Sequence, residues 1–215
     1  MRLTLIPALA MCLLLQYFPT QAHAQVPPIA TDSIGTVIAA KLMTNYPDGN
    51  FHAERLMSRA ELAATLVKTF KLDKRQTASP EIVIQLQDIP TSHWAFNDIQ
   101  TVLKTGVMKG YRGNLFFPNQ KVTRAEALAI FAQAYGVFQF PDNTVNEVLA
   151  TYPDAASIPQ WARKAMATSL NEGFVNLDPQ RNIHPLQPIT RGDMAYTLSK
   201  YLQRQQKPGS IENRF

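Results

Sequence analysis

The sequence predicts a mainly α-helical domain made of three helix-loop-helix repeats, and three observations carry that reading. The tetrapeptide Ser58-Arg59-Ala60-Glu61 returns as Thr123-Arg124-Ala125-Glu126 and as Thr190-Arg191-Gly192-Asp193, a period of 65 to 67 residues. Trp94 and Trp161 each stand 29 residues before their tetrapeptide, and Gly106 and Gly173 each stand 17 before it. Tyr46 and Phe51 precede the first tetrapeptide at the same offsets as Tyr111 and Phe116 precede the second. A unit copied three times buries its apolar face against its own copies. One unit of about 50 residues seldom has enough core alone, so the copies are expected to interlock.

Taken in chain order, residues 1–24 read as a secretory signal: Arg2 is the charged start, Leu3 to Leu15 the apolar run, and Ala22-His23-Ala24 the cleavage site. The mature chain is then expected to begin at Gln25. The run is short of the roughly 20 residues that span a bilayer, and no other segment approaches that length, so the mature form is expected to have no transmembrane segment. Cys12, the only cysteine, leaves with the signal, which removes disulfides, thiolate ligands and a thiol nucleophile. Leu9-Ala10-Met11-Cys12 has Met where a lipoprotein cleavage box takes a small residue, which argues against lipidation. Loss of Arg2 lowers the formal charge from +5 to +4. The basic residues are scattered, and no basic tract interleaved with aromatics points to nucleic acid.

Repeat 1 is assigned to residues 29–73. Ile34, Val37 and Ile38 give its first helix, and Leu62, Leu66 and Phe70 follow the cap Ser58 at spacing four. Its front is degenerate, with Ile29 where the other copies have Trp and Lys41 where they have Gly. Lys74 to Pro80 is a polar linker, after which Ile82-Val83-Ile84 is expected to lie extended against the core. In repeat 2, residues 86–137, Trp94, Ile99, Val102 and Leu103 fall on one helical face and Gly106 stops the helix. The second helix starts at Thr123 with a capping box closed by Glu126, and Ala127, Phe131 and Tyr135 form its buried stripe. Phe140 to Thr151 is read as a connector equivalent to the first. Repeat 3 covers residues 152–205, with Met194, Leu198 and Leu202 as its stripe. Residues 206–215 are a tail.

Asp88, Trp94-Ala95, Gly106, Gly110-Tyr111, Phe116, Pro118 and the tetrapeptide at Thr123 together resemble a surface-layer homology (SLH) repeat, and the resemblance runs over residues 29–205. It implies a pseudo-threefold SLH-type assembly. It also implies grooves between repeats that hold a cell-wall-linked polysaccharide, often one carrying an acidic ketal, with the tetrapeptide arginine as a principal contact. The local chemistry agrees. An Arg beside the free backbone N–H groups of a helix start favours a carboxylate and offers it a planar fork. Arg59, Arg124 and Arg191 are therefore candidate ligand contacts. The bland alternative has them solvated, or paired for folding with Glu61, Glu126 and Asp193. Among the three, Arg124 is expected to contribute most and Arg191 least. In copy three, Gly192 weakens the first turn by up to about 1 kcal/mol relative to Ala, and the shorter Asp193 strains or loses its cap.

Trp94 and Trp161 either stack on sugar rings or pack in the core at the start of the first helices. Ser58, Thr123 and Thr190, with Glu61, Glu126 and Asp193, are capping residues. His52 and His184 share an offset six before their tetrapeptides, but Phe117 holds that place in copy two, so no metal site is assigned. Asp48-Gly49-Asn50 is a turn without the alternating oxygens of a calcium loop. No nucleophile-base pair stands out, so no enzymatic activity and no cofactor are assigned. The reading is an exported protein of the periplasm, cell wall or cell surface that anchors non-covalently by binding an acidic wall polysaccharide or peptidoglycan-linked glycan. The alternative is an envelope protein-interaction adaptor or accessory subunit, with another envelope protein as partner and degenerate sugar grooves.

Overall fold

The computed structural model describes residues 31–75, 81–136 and 140–206 of the 215-residue chain. The signal, Ile29 and the tail beyond Gln206 lie outside the described residues. Seven α-helices are present among them: α1 (Thr31–Ala39), α2 (Arg59–Phe70), α3 (Phe96–Lys104), α4 (Arg124–Tyr135), α5 (Asp142–Leu149), α6 (Arg163–Asn171) and α7 (Arg191–Gln205). The described residues contain four isolated β-bridges and no named strand. No helix among them is long and apolar enough to cross a membrane.

The helix pairs α1–α2, α3–α4 and α6–α7 are the three repeats, and they are joined cyclically. The first helix of each repeat packs on the second helix of the one before: α3 on α2, α6 on α4, and α1 on α7. At the centre, the residue just before each cap closes a ring of three backbone hydrogen bonds. Met57 N donates to Ile189 O (2.9 Å), Ile189 N to Val122 O (2.8 Å), and Val122 N to Met57 O (3.3 Å). This cyclic packing is consistent with the pseudo-threefold assembly that the resemblance implies.

The stripes at spacing four face inward. Leu62, Leu66, Ala127, Phe131, Met194 and Leu198 are all fully buried, and Phe70, Tyr135 and Leu202 at the helix ends are half-buried. Near those ends Phe70, Phe131, Tyr135, Phe174 and Tyr201 form an aromatic cluster with centroid separations of 5.2–6.2 Å. Edge-to-face rings at these distances add to the energy of burial.

All three capping boxes form. Glu61 Oε2 accepts from Ser58 N at 2.7 Å, Glu126 Oε2 from Thr123 N at 2.8 Å, and Asp193 Oδ2 from Thr190 N at 2.9 Å. Of the expectation that the shorter Asp193 strains or loses its cap, the loss is corrected: the shorter carboxylate still reaches the cap amide. Thr190 Oγ1 in turn accepts from Asp193 N at 3.0 Å. Lys41 takes the left-handed conformation (φ 58°) that Gly106 and Gly173 take (φ 70° and 74°), so copy one keeps the helix stop despite losing the glycine.

Three local expectations fail. Trp94 does not share the buried face of α3, because the helix begins at Phe96 and the fully buried Ala95 takes the place beside the core. Ile82 and Val83 lie in an irregular segment and are exposed (61% and 46%). The segment is tied by the Gln100 side chain, which accepts from Ile84 N and donates to Ile84 O, both at 2.8 Å. The second connector contains α5, in which Val145 and Leu149, four apart, are buried against α6.

Candidate functional site

Each tetrapeptide docks onto the loop of the following repeat, and the third docks back onto the first. Arg59 N and Ala60 N donate to Gln120 O and Pro118 O, both at 3.0 Å. Arg124 N and Ala125 N donate to Gln187 O and Pro185 O at 2.8 and 2.9 Å. Arg191 N and Gly192 N donate to Arg55 O and Ala53 O at 2.8 Å. These amides belong to the first turn, where no intrahelical partner exists. The expectation of N–H groups left open for a ligand carboxylate is thus corrected, since loop carbonyls already hold them.

The arginine side chains follow the same rule. Nε of Arg59, Arg124 and Arg191 donates to Phe116 O, Ile183 O and Phe51 O at 2.8, 2.8 and 3.0 Å. Nη2 donates to Lys109 O, Asn176 O and Thr44 O at 2.8, 2.6 and 2.7 Å. All three are buried, with 8%, 3% and 8% exposure, so the solvated alternative does not hold. Burial pulls the Arg59 guanidinium below its ordinary value, opposed by Tyr111, Glu126 and Asp88.

The copies differ at the remaining nitrogen. Arg124 Nη1 meets Asn176 Oδ1 at 3.1 Å and Asp193 Oδ1 at 2.9 Å, and the Asp193 side chain is only 2% exposed. Arg59 and Arg191 have no acceptor on Nη1 among the described residues. They are flanked instead by rings: Tyr111 and Phe116 lie 4.9 and 4.6 Å from the Arg59 carbon Cζ, and Tyr46 and Phe51 lie 4.7 and 4.6 Å from that of Arg191. In copy three the residues at these two ring positions are Asp178 and Ile183. The pairing alternative is thus realised for Arg124 across a repeat boundary, while Glu61 and Glu126 are engaged by their own caps.

Trp94 and Trp161 are 65% and 62% exposed, which removes the core-packing alternative. Trp94 lines a cleft of about 440 Å³ together with Tyr46, Arg55, Glu61, Lys121 and Arg191, so residues of all three repeats meet there. Trp161 lines a separate cleft of about 420 Å³ against the small residues Ala129, Ala132 and Gly136 of the second repeat.

Two carboxylates that hold the loops are Asp88 and Asp154. Asp88 accepts from Phe116 N and Phe117 N (2.9 and 2.6 Å), and Asp154 from Ile183 N and His184 N (2.9 and 2.7 Å). Sequence reasoning found Asp88 and missed Asp154, which lies one residue out of register, 36 before its tetrapeptide instead of 35. Phe117, His52 and His184 all have positive φ (55°, 53° and 53°), which explains the shared offset of the two histidines as a backbone position. Their rings turn to acids: His52 bonds Asp48 and Glu54, and His184 bonds Asp178 at 2.8 Å. Hydrogen bonding to Asp48 raises the His52 pKa above its ordinary value. Burial opposes ionisation of Asp178, yet bonds from the Asn182 side chain and backbone and from His184 hold its pKa at about 2. The described residues contain no group of three or more His, Cys, Asp or Glu placed to hold a metal.

The family model described as the S-layer homology domain matches residues 24–63, 86–128 and 151–195, together more than half of the chain. Curated relatives include a surface-layer 125 kDa protein of Lysinibacillus sphaericus, 24% identical over 81% of this chain and 14% of its own length. A cellulosome-anchoring protein of Acetivibrio thermocellus is 26% identical over 89% of this chain and 41% of its own. An amylopullulanase of Thermoanaerobacterium thermosulfurigenes is 27% identical over 81% of this chain and 9% of its own. The chain spans less than half the length of each.

Proposed function

Because the chain belongs to the S-layer homology domain family, a cell-surface anchoring module, we propose that it anchors non-covalently by binding an acidic envelope polysaccharide, chiefly in the Trp94 cleft. The single observation that carries this reading is the pairing of an exposed indole with a buried arginine in one cleft. Arg191 is fixed at Nε and Nη2 by two loop carbonyls and keeps Nη1 without an acceptor among the described residues. A guanidinium held rigid in this way meets a carboxylate with little loss of side-chain entropy. The indole supplies a flat apolar face for a sugar ring. The order of contribution is then Arg191 first, Arg59 next and Arg124 last, the reverse of the expectation from sequence, because Asp193 already sits on Arg124. The chain itself is proposed to be non-catalytic; an enzyme such as the amylopullulanase matches it over 9% of its own length.

The test is retention of the mature protein on isolated cell walls and on walls stripped of acid-labile glycan. Wild type is expected on the first and not the second, and Trp94→Ala, whose side chain is mostly exposed, should fold normally and wash off. Equal retention of Trp94→Ala and wild type overturns the assignment to the Trp94 cleft, and co-purification with one envelope protein irrespective of the wall overturns the glycan reading in favour of an adaptor.

A further inference from the structure

The Trp94 cleft carries two cations that its symmetry-related positions lack. Arg55 stands three residues before its cap, where the other copies have Gln120 and Gln187, and Lys121 stands two before its own, where they have Leu56 and Pro188. The cleft takes the first position from repeat 1 and the second from repeat 2. Cyclic order would therefore pair Gln120 with Pro188 in the second equivalent location and Gln187 with Leu56 in the third. The cleft around Trp94 alone combines two bases with the tetrapeptide arginine.

Against these three cations the cleft offers one carboxylate, Glu61, and both of its oxygens are engaged. Oε2 accepts from Ser58 N and Oγ at 2.7 and 2.9 Å, and Oε1 accepts from Tyr46 Oη at 3.3 Å. Neither rim cation is held in an ion pair: Arg55 lies 4.4 Å over the Tyr46 ring, and Lys121 Nζ donates to the neutral Leu56 O at 3.1 Å, while Glu54, the acid whose field Arg55 feels, is exposed and bonds His52. Among the described residues none of the three cations has a carboxylate within ion-pair distance. A ligand with one carboxylate, met by Arg191 at the floor, leaves the two rim charges unmatched.

Resting on the glycan reading, we propose that this cleft recognises a saccharide segment bearing two anionic groups, one held by Arg191 and one by Arg55 and Lys121 at the rim. Arg55 and Lys121 are then specificity residues for the second charge.

Digalacturonic acid and its mono-methyl ester have the same rings and differ by one charge, so titration calorimetry of the mature protein with each isolates the effect. The diacid is expected to bind about tenfold more tightly, the effect of one charge-assisted contact. The gap should narrow as salt is raised. Arg55→Gln with Lys121→Gln should remove the gap while leaving the ester within about twofold, and Arg55→Lys with Lys121→Arg should restore it, which a merely structural role would not do. A gap that survives the double Gln variant, or equal binding of both probes by wild type, overturns the proposal while glycan binding stands. Retention on walls with no affinity for either probe does the same, whereas loss of wall retention as well removes the glycan reading beneath it.

Discussion

Replacing Arg124 with alanine tests whether the third tetrapeptide contact is structural. The change removes four acceptor contacts at once: Ile183 O, Asn176 O, Asn176 Oδ1 and the carboxylate of Asp193. The largest consequence falls on Asp193, whose side chain is 2% exposed and would be left as a buried charge without its partner. Breaking a buried pair from one side costs about 3–5 kcal/mol. Against a typical domain stability of about 5–15 kcal/mol this is about a fifth or more. A domain of this size loses about 2–4 °C per kcal/mol, so the melting temperature should fall by about 6–20 °C. The assay is thermal and urea denaturation followed by circular dichroism. Arg124→Ala combined with Asp193→Asn should recover part of the loss, because the stranded charge is gone. A loss under about 1 kcal/mol, or single effects that add to within about 0.5 kcal/mol, would refute the argument that the pair is a coupled unit.

Glu126→Ala removes the carboxylate that accepts from Thr123 N and should lower stability by about 0.5–2 kcal/mol, read from the urea midpoint; an unmoved midpoint would show that the box contributes nothing. Asp178 is held at about 2 in the fold against an ordinary 3.8, so its contribution is complete above the higher value and disappears as pH falls through the lower. Melting temperature measured across that acid window should therefore decline less steeply in Asp178→Asn than in wild type, and identical slopes would remove the assignment.

The features legible in the sequence are the short-range ones. Ser58 and Glu61, three residues apart, announce a capping box because both partners sit in one helical turn, and Leu62, Leu66 and their equivalents announce a stripe for the same reason. The role of Arg59 was not legible, because its acceptors Lys109 O and Phe116 O lie 50 and 57 residues away and are backbone atoms that carry no residue identity. The same holds for Arg191, whose partners lie 140 and 147 residues back. The buried partner of Arg124 was not legible for a subtler reason. Asp193 was read as a weakened Glu, whereas its second oxygen, Oδ1, meets Asn176 Nδ2 at 2.6 Å and Arg124. Helix α5 escaped notice because Pro141 at its start has no capping side chain and only Val145 and Leu149 are buried. Trp94 was placed one turn too deep because a large apolar residue near a helix start fits a buried face equally well on paper.

The triangle of hydrogen bonds among Met57, Val122 and Ile189 fixes how many copies this architecture can contain. In a stacked solenoid each unit passes its unsatisfied face to the next, so the array has open ends that need dedicated terminal units, and its length is free to drift by duplication. Here the third unit returns its donors to the first, through Arg191 N to Arg55 O and Gly192 N to Ala53 O, so among the described residues the circle closes on three units. Duplication of one copy would add a unit with no place in the circle, and deletion of one would strand the donors of its neighbour. Change in this chain is therefore channelled into substitutions within copies, and three positions that began alike have been free to diverge into one cleft rich in positive charge and one internal ion pair.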